Sequence, residues 1–257
     1  MLNQLLTKMK FELIPIIDTM LDLYAKPRSK ERFQEYISML QDGKKGDLTL
    51  PIVGFNPMAK EHILQKLTEL KDLKAEQVIQ DTLKSINIRL TDEQDQRTFK
   101  VVLNLADDLK GGWTNLYTTD YDSKFKINAL VSRSFCTPFF WTSESYTEQL
   151  IRNRTLEYAF RTIYWLTNPK PKTLKDHIEQ EIYVAEMSKI DSDNLDSNDF
   201  ELLDNFYSKY QESEDYGIVF NFFYGDNASK SLEFSTHGIT GKANGFDYAK
   251  IIRLRRI

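Results

Sequence analysis

The amino-acid sequence predicts a helix-rich α+β fold, in which an N-terminal helical lobe packs on a small mixed or antiparallel sheet with flanking helices. Through most of the first 90 residues, apolar side chains recur every three or four positions, which is typical of amphipathic helices. Between residues 99 and 142 the pattern changes to short runs of β-branched and aromatic residues, which favour strands. We therefore expect a helical lobe over residues 1–90 and an α+β domain over residues 91–257, with one continuous domain as the alternative.

The N-terminal lobe is predicted to contain four helices. The first covers residues 2–23, and Pro15 should kink it or divide it into two pieces, because proline lacks an amide donor. The second follows Ser29 as its N-cap. The third begins at Asn56, where an N-cap residue precedes a proline at the first helical position, and the fourth begins near Lys74.

Strands are predicted at residues 99–105, 127–131 and 137–142. A capping-box pattern at Ser145 and Glu148 then starts a long helix, and further helices follow Pro171 and Asn198. Residues 217–224 form an aromatic run that fits a buried strand or a buried helix. We predict a strand that pairs with residues 232–235 across a turn.

Charge is unevenly distributed along the chain. The net charge is -4, which argues against binding to duplex nucleic acid. Residues 191–215 contain nine acidic side chains and one lysine, Lys209. The sequence contains no complete catalytic motif, so the leading prediction is a non-catalytic binding protein whose acidic surface engages a basic protein partner.

The composition predicts a cytoplasmic protein without a cofactor. Cys136 is the only cysteine, so no intrachain disulfide can form, and three histidines are too few to favour a structural metal site. No apolar run reaches the ~18 residues that a membrane span requires, so we expect no membrane association.

The alternative function is an enzyme or small-molecule-binding protein with a pocket at the loop of residues 107–115. This loop follows a predicted strand, where binding groups are often held by a rigid scaffold. Arg133 would bind a small anionic ligand in bidentate fashion, and Trp141 would cover an apolar face. Either aspartate would take a proton or bind a polar group. The same residue types also occur in ordinary exposed turns. The six candidate ligand-binding residues are Asp107, Asp108, Trp113, Asn115, Arg133 and Trp141.

Overall fold

The computed structural model describes residues 9–41, 46–90, 95–110, 113–191, 195–240 and 243–256. Its strands are β1 (Lys10–Leu13), β2 (Thr98–Val101), β3 (Asn104–Ala106), β4 (Phe135–Cys136) and β5 (Phe139–Trp141). Its helices are α1 (Ile17–Ala25), α2 (Lys30–Leu40), α3 (His62–Asp72), α4 (Ala75–Arg89), α5 (Leu116–Phe125), α6 (Asn128–Ser132), α7 (Glu148–Thr167), α8 (Leu174–Ser188), α9 (Ser197–Tyr210), α10 (Tyr216–Ser231) and α11 (Gly245–Arg255).

The chain divides into two compact units. Unit 1 comprises Met1–Ser123 and Ile127–Ala159, and unit 2 comprises Lys124–Lys126 and Phe160–Ile257. The domain boundary expected at residue 90 stays a prediction.

The strands of unit 1 are parallel. β1 pairs with β2, β2 with β4, and β3 with β5. In the β2–β4 and β3–β5 pairs, the two partner residues are always separated by the same number of positions along the chain. The first of these pairs is Lys100 with Phe135, and the last is Ala106 with Trp141. Backbone hydrogen bonds at Val102 and Asn104 continue the pairing between the named strands. The four short strands therefore form one interrupted parallel ladder.

The helix-rich α+β class is confirmed, with 59% of the chain in helices and 8% in strands, but the prediction of a mixed or antiparallel sheet is wrong. Each connection between paired strands contains helices, and such long crossovers return the chain in the same direction. Residues 127–131, predicted as a strand, lie largely in helix α6 within one of these crossovers.

The first helix is shorter than predicted, because β1 occupies residues 10–13 and α1 begins only at Ile17. Residues 1–8 of the predicted helix lie outside the described ranges. Proline disfavours helical geometry at the residue before it, so Pro15 separates a strand from a helix instead of kinking one helix. The carboxylate of Glu76 accepts hydrogen bonds from the amides of Ile16 and Ile17 and so completes the start of α1.

Residues 51–59 form a buried loop across unit 1, where the sequence predicts the start of a helix. Ile52 and Phe55 are fully buried, and Asn56 is nearly so. The Asn56 side chain accepts a hydrogen bond from the Met58 amide and closes a local turn, while α3 begins six residues later at His62. The predicted cap is therefore a turn residue.

Side chains satisfy the backbone of this loop, since buried peptide groups need hydrogen-bond partners. Asn104 of β3 accepts a hydrogen bond from the Gly54 amide at 2.8 Å and donates one to the Pro51 carbonyl at 2.8 Å. Gly54 is required here, because a Cβ atom would lie 2.8 Å from a ring carbon of Phe139. The loop is thereby fixed against β3.

Unit 2 contains helices α8 to α11, and residues 217–224 belong to helix α10, so the strand prediction is wrong. Asp215 caps this helix by accepting a hydrogen bond from the Ile218 amide. The aromatic residues are buried around the helix, and a helix that is apolar on all sides has no amphipathic period to reveal it. After the kink at Gly225, Asp226 accepts hydrogen bonds from the amides of His237 and Gly238, so residues 232–235 lead into a loop.

We predict that Asn104→Ala destabilises the protein by about 2 kcal/mol or more, because it leaves the Gly54 amide and the Pro51 carbonyl buried without partners. Urea unfolding followed by circular dichroism measures the loss. Gln34→Ala on the exposed face of α2 should change the stability by less than about 0.5 kcal/mol. Equal effects of the two substitutions would contradict the role given to Asn104.

Candidate functional site

Asp107 and Asp108 lie directly after β3, beside the residues that follow β5. Thr142 Oγ1 is 3.1 Å from Asp107 Oδ1 and 3.0 Å from Asp108 Oδ1. The Ser143 amide and hydroxyl both donate to the Asp108 carboxylate. The parallel ladder brings these side chains together, because the carboxyl ends of parallel strands meet at one edge of a sheet.

Asp107 also lies against His62, the first residue of α3. His62 Nε2 is 2.9 Å from Asp107 Oδ1, and the carboxylate side chain is fully buried. Burial raises the pKa of the Asp107 carboxyl, but the contacts with His62, the Lys110 amide and Thr142 outweigh it and hold the pKa below its usual value. Asp107 is therefore ionised at neutral pH.

Three buried polar atoms of this pair have no aligned hydrogen-bond partner among the described residues. They are both ring nitrogens of His62 and Oδ2 of Asp107. The 2.9 Å between the two side chains is therefore a close contact whose geometry is not that of a linear hydrogen bond.

The other four predicted site residues occupy separate environments. Trp113 is half-exposed, and its indole nitrogen donates to the Val53 carbonyl at 3.3 Å. Asn115 accepts a hydrogen bond from the Thr118 amide at the start of α5. Arg133 forms an exposed ion pair with Asp47, and Trp141 is buried beside Phe139.

The structure thus joins Asp107 to Asp108 through Thr142 but gives Arg133 a different partner. Arg133 follows α6 and precedes β4, whereas both aspartates follow a strand. The shared ligand pocket for all six residues stays a prediction.

A basic pocket of about 130 Å³ lies elsewhere in unit 1, where the turn between α1 and α2 faces the segment that enters α3. Four cationic side chains and one carboxylate line it, together with Tyr24 and three small or apolar residues. The lining residues are Tyr24, Lys26, Pro27, Arg28, Arg32, Ala59, Lys60, Glu61 and Leu64.

Arg32 is the buried cation of this pocket, with only 4% of its surface exposed. Its terminal nitrogens donate to the carbonyls of Lys26 at 3.1 Å and Ala59 at 3.2 Å. The guanidinium carbon lies 4.8 Å from the centre of the Tyr24 ring. Among the described residues, no carboxylate pairs with Arg32, and its Nε is buried without a hydrogen-bond partner.

Burial is the largest cause of the pKa shifts of Arg32 and of its neighbour Tyr24. Burial lowers the pKa of the guanidinium, and Arg28 lowers it further, while Tyr24 and Glu61 act in the opposite direction. Arginine nevertheless stays protonated at any physiological pH. Burial also raises the pKa of the Tyr24 phenol, which therefore adds no negative charge to the pocket.

The remaining cations of the pocket are exposed. Lys26 forms an ion pair with Glu35 at 2.6 Å. Arg28 and Lys60 have no ion pair within the described part of the chain, although the charge of each lowers the pKa of Glu61. The pocket consequently has an excess of positive charge.

This pocket was not predicted from the sequence, although two signals were present. Lys26 and Arg28 lie close together beside Pro27 in the predicted turn. Arg32 lies four residues before Tyr36, so both belong to the face of α2 that becomes buried. An arginine on a buried helix face needs a hydrogen-bond or ionic partner, and the sequence alone does not identify that partner.

The acidic segment of residues 191–215 is partly used within unit 2. Asp196 and Asp215 cap α9 and α10, Asp191 pairs with Arg253, and Asp204 accepts a hydrogen bond from the Tyr248 hydroxyl at 2.8 Å. Binding of a basic protein partner by this segment stays a prediction.

Within the described ranges, no cluster of three or more histidine, cysteine or carboxylate side chains is arranged to hold a metal ion. No helix among the described residues is long and apolar enough to cross a bilayer. Comparison with protein-family models, with curated proteins and with solved structures gave no match.

We predict that Asp107→Asn lowers stability at pH 7 and that the difference from the natural protein shrinks in acid. A carboxyl whose folded pKa is lowered contributes stability above its unfolded value of about 4 and loses this contribution as the pH falls through the folded pKa. Urea unfolding between pH 7 and pH 3 measures the effect. Asp22→Asn on the exposed face of α1 is the control, and a pH-independent loss at Asp107 would contradict the prediction.

Proposed function

We propose that unit 1 binds a small anionic ligand in the basic pocket lined by Arg32. The observation that carries the proposal is the burial of the Arg32 guanidinium without a carboxylate among the described residues. A buried charge is costly unless it is paired, and the two carbonyl groups that Arg32 contacts carry no net charge. An anion in the pocket would supply the missing countercharge.

The surrounding residues support the same function. Arg28 and Lys60 are exposed and line the pocket from different segments, so both side chains can approach a ligand. Cationic side chains around a concave site also attract anions from solution. The Tyr24 ring packs against the guanidinium and restricts its movement, which reduces the entropy that Arg32 would lose on binding.

The proposed anion site is a different site from the small-molecule pocket that the sequence predicts at residues 107–115. The two regions are electrostatically linked, because the charge of Asp107 contributes to the raised pKa of Tyr24. The proposed anion site is nevertheless formed by Arg32 and its neighbours, and Asp107 does not line it. The Asp107 carboxylate already accepts hydrogen bonds from the Lys110 amide and the Thr142 hydroxyl.

We expect phosphate and sulfate to raise the melting temperature more than chloride does at the same ionic strength, because a ligand that binds only the folded state stabilises it. Arg28→Gln should weaken this effect by removing a lining charge, whereas Lys30→Gln removes an equal charge outside the lining. Differential scanning calorimetry measures the shifts, and isothermal titration calorimetry measures the affinities.

Arg32→Met tests the central residue directly. It should abolish the anion effect, and it should also lower stability because the carbonyls of Lys26 and Ala59 lose their donors. Arg28→Gln remains informative if Arg32→Met does not fold, because Arg28 is exposed. The proposal is wrong if anions give no shift beyond chloride, or if Arg28→Gln and Lys30→Gln behave alike.

A further inference from the structure

We propose that the anionic group bound in the basic pocket is the dianionic phosphoryl group of a phosphate monoester, an inference that rests on the proposed function. The charge of the pocket is the first argument. Four cations and Glu61 line it, and Lys26 is neutralised by Glu35. The negative charge of Glu61 cancels one of the three cations that remain. Two positive charges are then left, which matches a dianion.

The origin of the donors is the second argument. Arg32 donates one hydrogen bond from each terminal nitrogen to a backbone carbonyl, so a second N–H remains on each of these nitrogens. Arg28 and Lys60 line the pocket from two other segments of the chain. Donors from three separate segments suit a tetrahedral group with three terminal oxygens better than a planar carboxylate with two.

The size of the pocket is the third argument. At about 130 Å³ it has room for a phosphoryl group. The cations that line it would then contact the phosphoryl oxygens, so the phosphoryl group is the part of the ester that is recognised.

The charge state of the ligand gives a direct test. The second ionisation of a phosphate monoester lies near pH 6, so about a tenth of it is dianionic at pH 5. Binding of phenyl phosphate should weaken about tenfold between pH 7.5 and pH 5. Inorganic sulfate stays a dianion over this range and should bind with nearly constant affinity, which controls for titration of the protein itself.

This control is needed because titratable groups face the pocket from each adjoining element. Tyr24 comes from α1, Lys26 and Arg28 from the following turn, Arg32 from α2, and Lys60 and Glu61 from the segment before α3, with His62 and Asp107 next to them. The pKa of Glu61 is lowered by its backbone hydrogen bond and by Arg28, so Glu61 stays ionised through the range tested.

Isothermal titration calorimetry with phenyl phosphate, sulfate and benzoate separates the outcomes. The inference predicts that phenyl phosphate binds at least about tenfold tighter than benzoate at pH 7.5, and that Arg28→Gln and Lys60→Gln each weaken it by about tenfold while Lys30→Gln does not. Benzoate binding as tightly would overturn the phosphoryl assignment and leave the anion site intact. Equal pH dependence for sulfate and phenyl phosphate would overturn the dianion requirement, and no binding of any of the three would overturn both proposals.

A phosphoryl group can belong to a soluble ester or to a lipid headgroup. Sedimentation with phosphatidylcholine vesicles that contain phosphatidic acid distinguishes these sources. Protein that sediments and is released by phenyl phosphate supports a lipid carrier. Protein that stays in solution while binding phenyl phosphate supports a soluble ester.

Discussion

Hydrogen bonds from side chains to the backbone of residues 51–59 are the constraint on which unit 1 depends. A buried loop is unusual, because its peptide groups lose water without gaining the partners that a helix or sheet provides. Here the partners come from α1, α2, β3 and the segment before α5. The donors to loop carbonyls are Tyr24, Arg32, Tyr36, Asn104 and Trp113.

Arg32 links this structural role to the chemistry of the pocket. Its hydrogen bond to the Ala59 carbonyl completes the loop, and the same contact holds the guanidinium within the pocket wall. A neutral donor could satisfy the carbonyl without the cost of a buried charge. The use of arginine therefore makes sense if the charge itself has a function, and the rigid loop then preorganises the charge for an incoming anion.

Local signals explain what the sequence could predict. Ser29 precedes an amphipathic segment, and it caps α2 as expected. Asn56 gives the same signal but lies in a buried turn, where its side chain accepts from the Met58 amide and its carbonyl accepts from the Tyr24 hydroxyl. Of the predicted site, only the neighbouring aspartates are joined, through Thr142. The partnership of His62 with Asp107 and the burial of Arg32 depend on long-range packing that no local spacing encodes.

The side chain of Asn87 has a consequence for the free edge of the sheet. Its amide oxygen accepts from the Phe11 amide at 2.8 Å, and its amide nitrogen donates to the Phe11 carbonyl at 2.9 Å. A primary amide repeats the donor and acceptor of a peptide group, so Asn87 occupies the position that the backbone of a further strand would take. An open edge is a template for pairing with other chains. Within the described part of the chain, one residue of a neighbouring helix thus occupies the outer edge of β1 and satisfies the Phe11 peptide groups that a further strand would otherwise pair with.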